Sequence, residues 1–192
     1  MNSIYITLAA ALFLLPTGSG AAMKALSLDE LLQRADRITI GRVIDKISAI
    51  ESIKVNEKDG EPIYYTTVFT YFTIAVSEEL KAASAEHEVV VRVLGGLHPD
   101  GRLYTSNSEA ARMEIGEDVV LFLRVGRETD LFKAVVYEVV GEKHGKLRIA
   151  GEKGSEIVQP GSESSRLSED FSASPILYAT FRQKVQEKIG NR

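Results

Sequence analysis

The stretch IYYTTVFTYFTIAVSEELK, Ile63–Lys81, decides the fold of this 192-residue chain. It contains no Gly and no Pro, and almost every residue up to Val76 is β-branched or aromatic. Because side chains alternate between the two faces of a strand, Val68 and Phe72 point one way and Tyr71 points the other. The pattern predicts a long, half-buried central strand, on which shorter strands before and after it are laid.

Shorter apolar and β-branched runs on either side of this stretch predict further strands, separated by turns that contain Gly. Gly41 lies within the first run and predicts a bulge, since a glycine inside a strand often marks one. Ser77–Ala85 is polar and small and predicts a helical turn or a loop. The predicted strands are Ile38–Ile44 with a continuation toward Ile53, Val89–Leu94, the almost wholly apolar Val119–Val125, Leu131–Val140, Lys146–Ile149 and Ser155–Val158.

A short helix is predicted just before the first strand. Ser27 and Glu30 form a capping box, in which each side chain accepts a hydrogen bond from the backbone amide of the other. Apolar residues at helical spacing follow and predict a helix from Leu28 to Ala35.

The composition changes after Val158. Residues 159–174 are rich in Ser, Gly and acidic side chains, which predicts a linker. Pro175 is expected at the first position of a C-terminal helix over residues 175–192, with Ser174 as its cap. This helix is expected to dock either on the β domain or on a partner.

About six or seven short strands with a helix at each end favour a mainly β fold. The expected architecture is a small antiparallel OB-like β-barrel with a short N-terminal helix and a C-terminal helix, and a β-sandwich is the alternative. The chain then divides into a signal peptide at residues 1–22, a β-barrel domain at 23–158, the linker at 159–174 and the C-terminal helix.

The start of the chain predicts export. Ile4–Leu15 is an apolar run of the length found in signal peptides, and the small residues of Ser19–Ala22 follow it. The run is shorter than the roughly 20 residues that a membrane-spanning helix needs. An uncleaved anchor or a buried helix is the alternative. We expect an exported protein, periplasmic or secreted, with no stable membrane span after signal cleavage.

The composition excludes several classes of function. The net charge is -4 with both signs interspersed, so no nucleic-acid partner is expected. The absence of Cys excludes disulfides, Cys-ligated zinc, iron–sulfur clusters and thiol nucleophiles. His87, His98 and His144 lack the short spacing of metal ligands and are expected to be solvated loop residues. No metal site, cofactor or catalytic residue is therefore predicted.

The long loop between Gly95 and Glu114 is the main candidate for binding, because loops on a rigid scaffold commonly carry function. The alternative is that this loop only covers the open end of the barrel. Its candidate recognition residues are Leu97, His98, Arg102, Tyr104 and Asn107.

Two further candidates are weaker. His98 with Ser106 or Ser108 is a possible nucleophile pair for a hydrolase, but no GxSxG or SxxK motif accompanies it. The other face of the central strand, which includes Phe69 and Tyr71 as well as Tyr65, is a second partner surface, with burial under the C-terminal helix as its alternative.

Three motifs resemble those of a group of exported bacterial proteins of unknown function. They are Ala35-Asp36 followed by Gly41-Arg42-Val43, the strand end Val76–Lys81, and Gly116–Leu123. Their layout is also distantly similar to the netrin-type OB barrel of the tissue metalloproteinase inhibitors. The resemblance covers residues 27–150 and implies an OB-like barrel. Those inhibitors chelate zinc through an N-terminal Cys, and that mechanism does not carry over to a chain without Cys.

These observations favour a non-catalytic exported binding module that acts on or with another envelope or secreted protein. An inhibitor or accessory factor of a secreted peptidase is the alternative that the resemblance implies. A hydrolase that uses the 95–114 loop is the third hypothesis. The oligomeric state does not follow from the sequence.

Overall fold

The computed structural model describes residues 26–58, 61–82, 86–105, 109–126, 129, 131–132, 134–160 and 176–190. The predicted signal peptide at 1–22 and residues 161–174 of the predicted linker lie outside this range. Within it, no helix is both long enough and apolar enough to cross a membrane. The elements are α1 Leu28–Arg34, β1 Arg37–Lys58, β2 Glu61–Lys81, β3 Glu88–Leu94, β4 Gly96–Leu97, β5 Leu103–Thr105, β6 Asp118–Val125, β7 Val136–Val139, a 3-10 helix Glu142–Gly145, β8 Lys146–Ala150, β9 Ile157–Pro160, β10 Ile176–Leu177 and α2 Tyr178–Gly190.

Five strands close into a ring in the order β1-β2-β3-β7-β6, because β1 also pairs with β6. The predicted mainly β fold with a helix near each end is confirmed. The sheet is mixed rather than purely antiparallel, since β3 and β7 are parallel. They are parallel because the chain crosses one end of the ring after β3 and passes through β6 before it returns in β7. β8, β9 and β10 extend the same sheet beyond β6.

The core has three parts, set by which face of the ring each side chain occupies. One cluster fills the inside of the ring and contains residues from all five of its strands. The second covers the outside of β1 and β6 and includes α1, α2 and β8–β10. The third covers the outside of β2, β3 and β7. Interior residues include Val43, Phe72, Ile74, Val89, Val91, Met113, Val119, Leu121, Leu123, Tyr137 and Val139.

Helix α1 forms where the capping box predicted it. Glu30 Oε2 accepts from the Ser27 amide at 2.8 Å, and Ser27 Oγ accepts from the Glu30 amide at 3.3 Å. The helix ends at Arg34, and Ala35 is its C-cap. Leu28 and Leu31 on its apolar face are fully buried against the sheet.

The central strand is longer and more deeply buried than its alternating pattern predicts. β2 runs to Lys81, so the predicted helical turn or loop beginning at Ser77 is wrong. Residues 67–72 are buried on both faces, because the long connection after β3 covers one face and Phe132 with Arg92 covers the other. The predicted half-buried strand is therefore wrong for residues 67–72, and it is also wrong for residues 61–66, which are exposed on both faces.

The C-terminal helix begins later than predicted. Ile176–Leu177 pairs antiparallel with Ile157–Val158 of β9, and the helix starts only at Tyr178. The predicted cap Ser174 and Pro175 lie outside the described residues, and the two residues that follow them extend the sheet instead of starting the helix. Phe181 and Val185 then bury the helix against α1 and the sheet, so it docks on the β domain.

Candidate functional site

The two ends of the ring differ in chemistry. At one end Arg37, 3% exposed, donates hydrogen bonds to Glu79 and Glu86 and to the Tyr137 hydroxyl. Burial opposes the charge of Arg37, but the hydrogen bonds to Glu79, Tyr137 and Glu86 outweigh it and raise the pKa of Arg37 above its usual range. A satisfied buried ion-pair network therefore closes this end.

The opposite end, which we call the mouth, opens into a cavity of about 350 Å³. Inside it, Ser48 Oγ lies 3.3 Å from Thr70 Oγ1, and Thr70 donates to the Gly95 carbonyl at 2.7 Å. Most of the remaining wall is apolar. The mouth cavity is lined by Lys46, Ser48, Thr70, Phe72, Val93, Leu94, Gly95, Gly96, Leu97, Ala110, Ala111, Arg112, Met113 and Glu114.

A segment that we call the strap, Ala110–Glu114, crosses the mouth. Ala111 and Met113 are each 1% exposed and belong to the interior cluster of the ring. Lys146 Nζ donates to the Arg112 carbonyl at 2.7 Å and lies 2.5 Å from Glu117 Oε1. The strap thus places apolar side chains inside the ring and is attached from outside by a buried lysine.

A smaller cavity of about 150 Å³ lies on the other side of the strap, beside Arg92. It shares Val93, Leu94, Ala110 and Ala111 with the wall of the mouth cavity. The strap and the end of β3 therefore separate the mouth cavity from the smaller cavity.

Arg92 in the smaller cavity is held by neighbouring carboxylates. Its guanidinium contacts Glu51 at 3.2 Å and Glu138 at 2.5 Å, and it lies 4.6 Å from the centre of the Phe69 ring. Burial raises the pKa of Glu138, but Arg92 and Arg124 outweigh that effect and leave the pKa below its usual value. Each of these charges is balanced by another, so the network has no net charge with which to recruit an ion.

The structure separates the predicted recognition residues. Leu97 lines the mouth cavity and is 56% exposed. His98 and Arg102 lie instead on a turn beyond β4, where both contact Asp100. Tyr104 belongs to β5, and Asn107 lies outside the described residues. The long loop is not free of regular structure, since β4 and β5 pair within it.

The turn that carries His98 has a clear electrostatic arrangement. Arg102 beside Asp100 lowers the pKa of that carboxyl to about 2, and His98 adds to the effect. His98 Nδ1 lies 2.8 Å from Asp100 Oδ1. Both candidate serines, Ser106 and Ser108, lie outside the described residues, so the hydrolase hypothesis stays a prediction.

For some residues, the environment predicted from the sequence is wrong. Phe69 and Tyr71 on the second predicted surface are buried, and Tyr71 packs 4.9 Å from Phe132 rather than under the C-terminal helix. Tyr65 alone of that set is exposed, at 58%. His144 was expected in solvent but is 1% exposed, because the 3-10 helix turns it into the protein.

No sequence motif marks the residues that the strands and the strap bring to the mouth. Lys46, Ser48 and Thr70 sit within strand patterns and carry no motif. Met113 looked like part of an irregular loop. The alternating pattern of β1 and β2 assigns these side chains to a face, but only the closed ring places that face at an open end.

No group of three or more potential His, Asp or Glu ligands lies close enough to hold a metal ion among the described residues. The mouth offers a mainly apolar space with two hydroxyl groups inside it and charged groups at its rim. Such a composition is typical of sites that bind a ligand by shape and burial.

Comparison with protein-family models, with curated proteins and with solved structures found no match to this chain. The family resemblance drawn from the sequence motifs stays a prediction.

Proposed function

We propose that this protein is a non-catalytic, exported binding module that recognises another envelope or secreted protein at the mouth of its ring of strands. The observation that carries the proposal is the mouth cavity of about 350 Å³ with the exposed Leu97 at its edge. Its size lies within the range of sites that enclose a side chain or a small ligand.

The surface around the cavity has the composition of a protein interface. Ile50 is 45% exposed and shares a strand face with Ser48, which lines the cavity. Ile50 and Leu97 therefore place apolar groups beside it. Because buried aromatic and apolar anchors supply most of the affinity at such interfaces, a partner would insert an apolar side chain here.

Charged groups form the rim of the mouth. Lys46 lies 3.7 Å from Glu114, and its ammonium lies 5.6 Å from the centre of the Phe72 ring. Arg112 and Glu114 are exposed. An apolar centre with a rim of both charges suits a protein segment better than a phosphate-rich ligand, which would need a surplus of cations.

Photo-crosslinking tests the proposal. A photoreactive amino acid replaces Leu97, and a matched control carries it at Leu177, which is 53% exposed on β10 away from the mouth. We expect the first variant to crosslink a defined protein of the envelope or secreted fraction that the second does not. No crosslink above background at position 97 would contradict the proposal.

The affinity of the purified partner then gives a quantitative check. Leu97→Asp places a charge at the edge of the cavity, whereas Leu177→Asp makes the same change elsewhere. We expect the first substitution to weaken binding at least tenfold and the second to leave it unchanged. Equal affinities would show that the partner binds another surface.

The described contacts favour neither alternative function. Inhibition of a secreted peptidase would be a special case of partner binding, and a panel of secreted metallo- and serine peptidases tests it directly. Hydrolysis through His98 would require loss of activity in His98→Ala.

A further inference from the structure

The strap is attached to the ring less firmly than the strands are attached to one another. Among the described residues, no backbone-to-backbone hydrogen bond joins positions 110–113 to a strand of the ring. Backbone hydrogen bonds flank it at residue 109 and at residues 116–117, and side-chain contacts hold it at a few points. Lys143 pairs with Glu109 at 2.9 Å just before it, and Lys146 holds Arg112 and Glu117.

Open space lies beside the strap. The cavities of about 150 and 350 Å³ lie on its two sides. Segments with few backbone hydrogen bonds open locally at a lower free energy than the whole domain. The walls on both sides are contributed by β-strands, which keep their own hydrogen bonds if the strap leaves.

We propose that the strap is a displaceable plug: it leaves the mouth while the ring stays folded, and its departure extends the mouth cavity into the apolar interior of the ring, where Ala111 and Met113 now pack. In the closed form, Met113 fills space inside the ring. That space becomes accessible when the strap leaves. The inference rests on the proposed function, because it describes how the binding site at the mouth becomes fully accessible.

Thiol labelling tests the opening directly, because the chain contains no Cys and an engineered thiol is unique. Met113→Cys places a thiol on the strap. Leu121→Cys places one on β6, where the side chain is fully buried in the same cluster. The second thiol reacts with a soluble thiol reagent only when the ring itself unfolds.

We expect the Met113→Cys variant to react at least tenfold faster than the Leu121→Cys variant under native conditions. Ala111→Cys, at a strap residue that is also 1% exposed, serves as a second reporter if the first variant folds poorly. Denaturant unfolding gives the free energy of unfolding of each variant, and this value corrects its labelling rate for differences in overall stability. Equal corrected rates at strap and ring positions would overturn the proposal.

The attachment through Lys146 provides a second test. Lys146→Met removes the contacts to Arg112 and Glu117, so thiol labelling at position 113 should become faster while labelling at position 121 stays the same. The dye 1-anilinonaphthalene-8-sulfonate should also bind and fluoresce at least twofold more strongly in Lys146→Met, at unchanged far-UV circular dichroism. Faster labelling without added dye binding would refute the extension of the mouth cavity into the apolar interior.

These measurements use no partner protein. A failure of the labelling test therefore removes the plug and leaves the proposed partner binding standing. A failure of the Leu97 crosslinking test removes the partner and leaves the opening of the strap unaffected.

Discussion

The guanidinium carbon of Arg37 lies 5.2 Å from the centre of the Tyr137 ring, and Arg37 Nη1 also donates to the Tyr137 hydroxyl at 3.2 Å. β1 and β7 are not neighbours in the ring, so this contact spans its interior. Together with Glu79, it closes one end of the ring with polar and charged groups, while the strap crosses the other end.

Arg37→Met should destabilise the protein by about 3 kcal/mol, because it leaves the largely buried Glu79 carboxylate without its partner. Arg42→Met is the matched control on the same strand, since Arg42 is 61% exposed in its pair with Asp118 and such pairs contribute little. Urea unfolding measures both. Equal shifts of the two midpoints would contradict the structural role given to Arg37.

Tyr71→Phe should stabilise the protein by about 1 kcal/mol. The Tyr71 hydroxyl is buried, and no partner for it is found among the described residues, so removing it relieves an unmet hydrogen bond. Tyr137→Phe makes the same chemical change but removes the hydrogen bond from Arg37, so it should destabilise by about 1 kcal/mol. Opposite signs in thermal unfolding are the expected result, and destabilisation by both would refute this account of Tyr71.

Gly41→Ala should destabilise the protein by about 2 kcal/mol through overpacking. A Cβ atom at position 41 would collide with the carbonyl oxygen of Ala75 on the paired strand, at a shift in the β1–β2 register. Gly190→Ala is the control, because a Cβ atom there meets nothing within 4 Å. If chemical denaturation gave Gly41→Ala the stability of the parent protein, the close approach of β1 and β2 would be wrong.

The contact between α2 and β2 should weaken at high pH. Burial and the neighbouring Glu78 raise the pKa of Tyr178 from 10.0 to about 12, and its hydroxyl lies 3.1 Å from Glu78 Oε2. The folded state therefore favours the neutral phenol. Its contribution to stability is complete below pH 10.0 and is lost as the pH rises toward about 12.

Tyr178→Phe should accordingly reduce the fall in stability over that pH interval, as measured by urea unfolding at several pH values. Tyr64→Phe is the control, because this substitution makes the same chemical change at a side chain that is 60% exposed on the β1–β2 hairpin. An identical pH dependence in the two variants would show that Tyr178 does not titrate differently on folding.

Most elements of the fold could be predicted because they depend on short-range patterns. The capping box of Ser27 and Glu30 fixes the start of α1, and the apolar run of β6 fixes a strand that is covered on both faces. Gly41 predicted an irregularity, and the register of β1 shifts there. The candidate site was predicted less well, since among its proposed residues with described side chains, Leu97, His98 and Arg102, only Leu97 lines the mouth cavity.

Local patterns along the chain specify which segments become strands and which side chains share a face, because backbone hydrogen bonding and side-chain alternation act over a few residues. The pairing of β1 with β6, the parallel course of β3 and β7 and the entry of Met113 into the ring arise only when the whole chain folds. Those choices depend on burying surfaces far apart in the chain. For that reason a strap with no regular pattern of its own came to define the mouth.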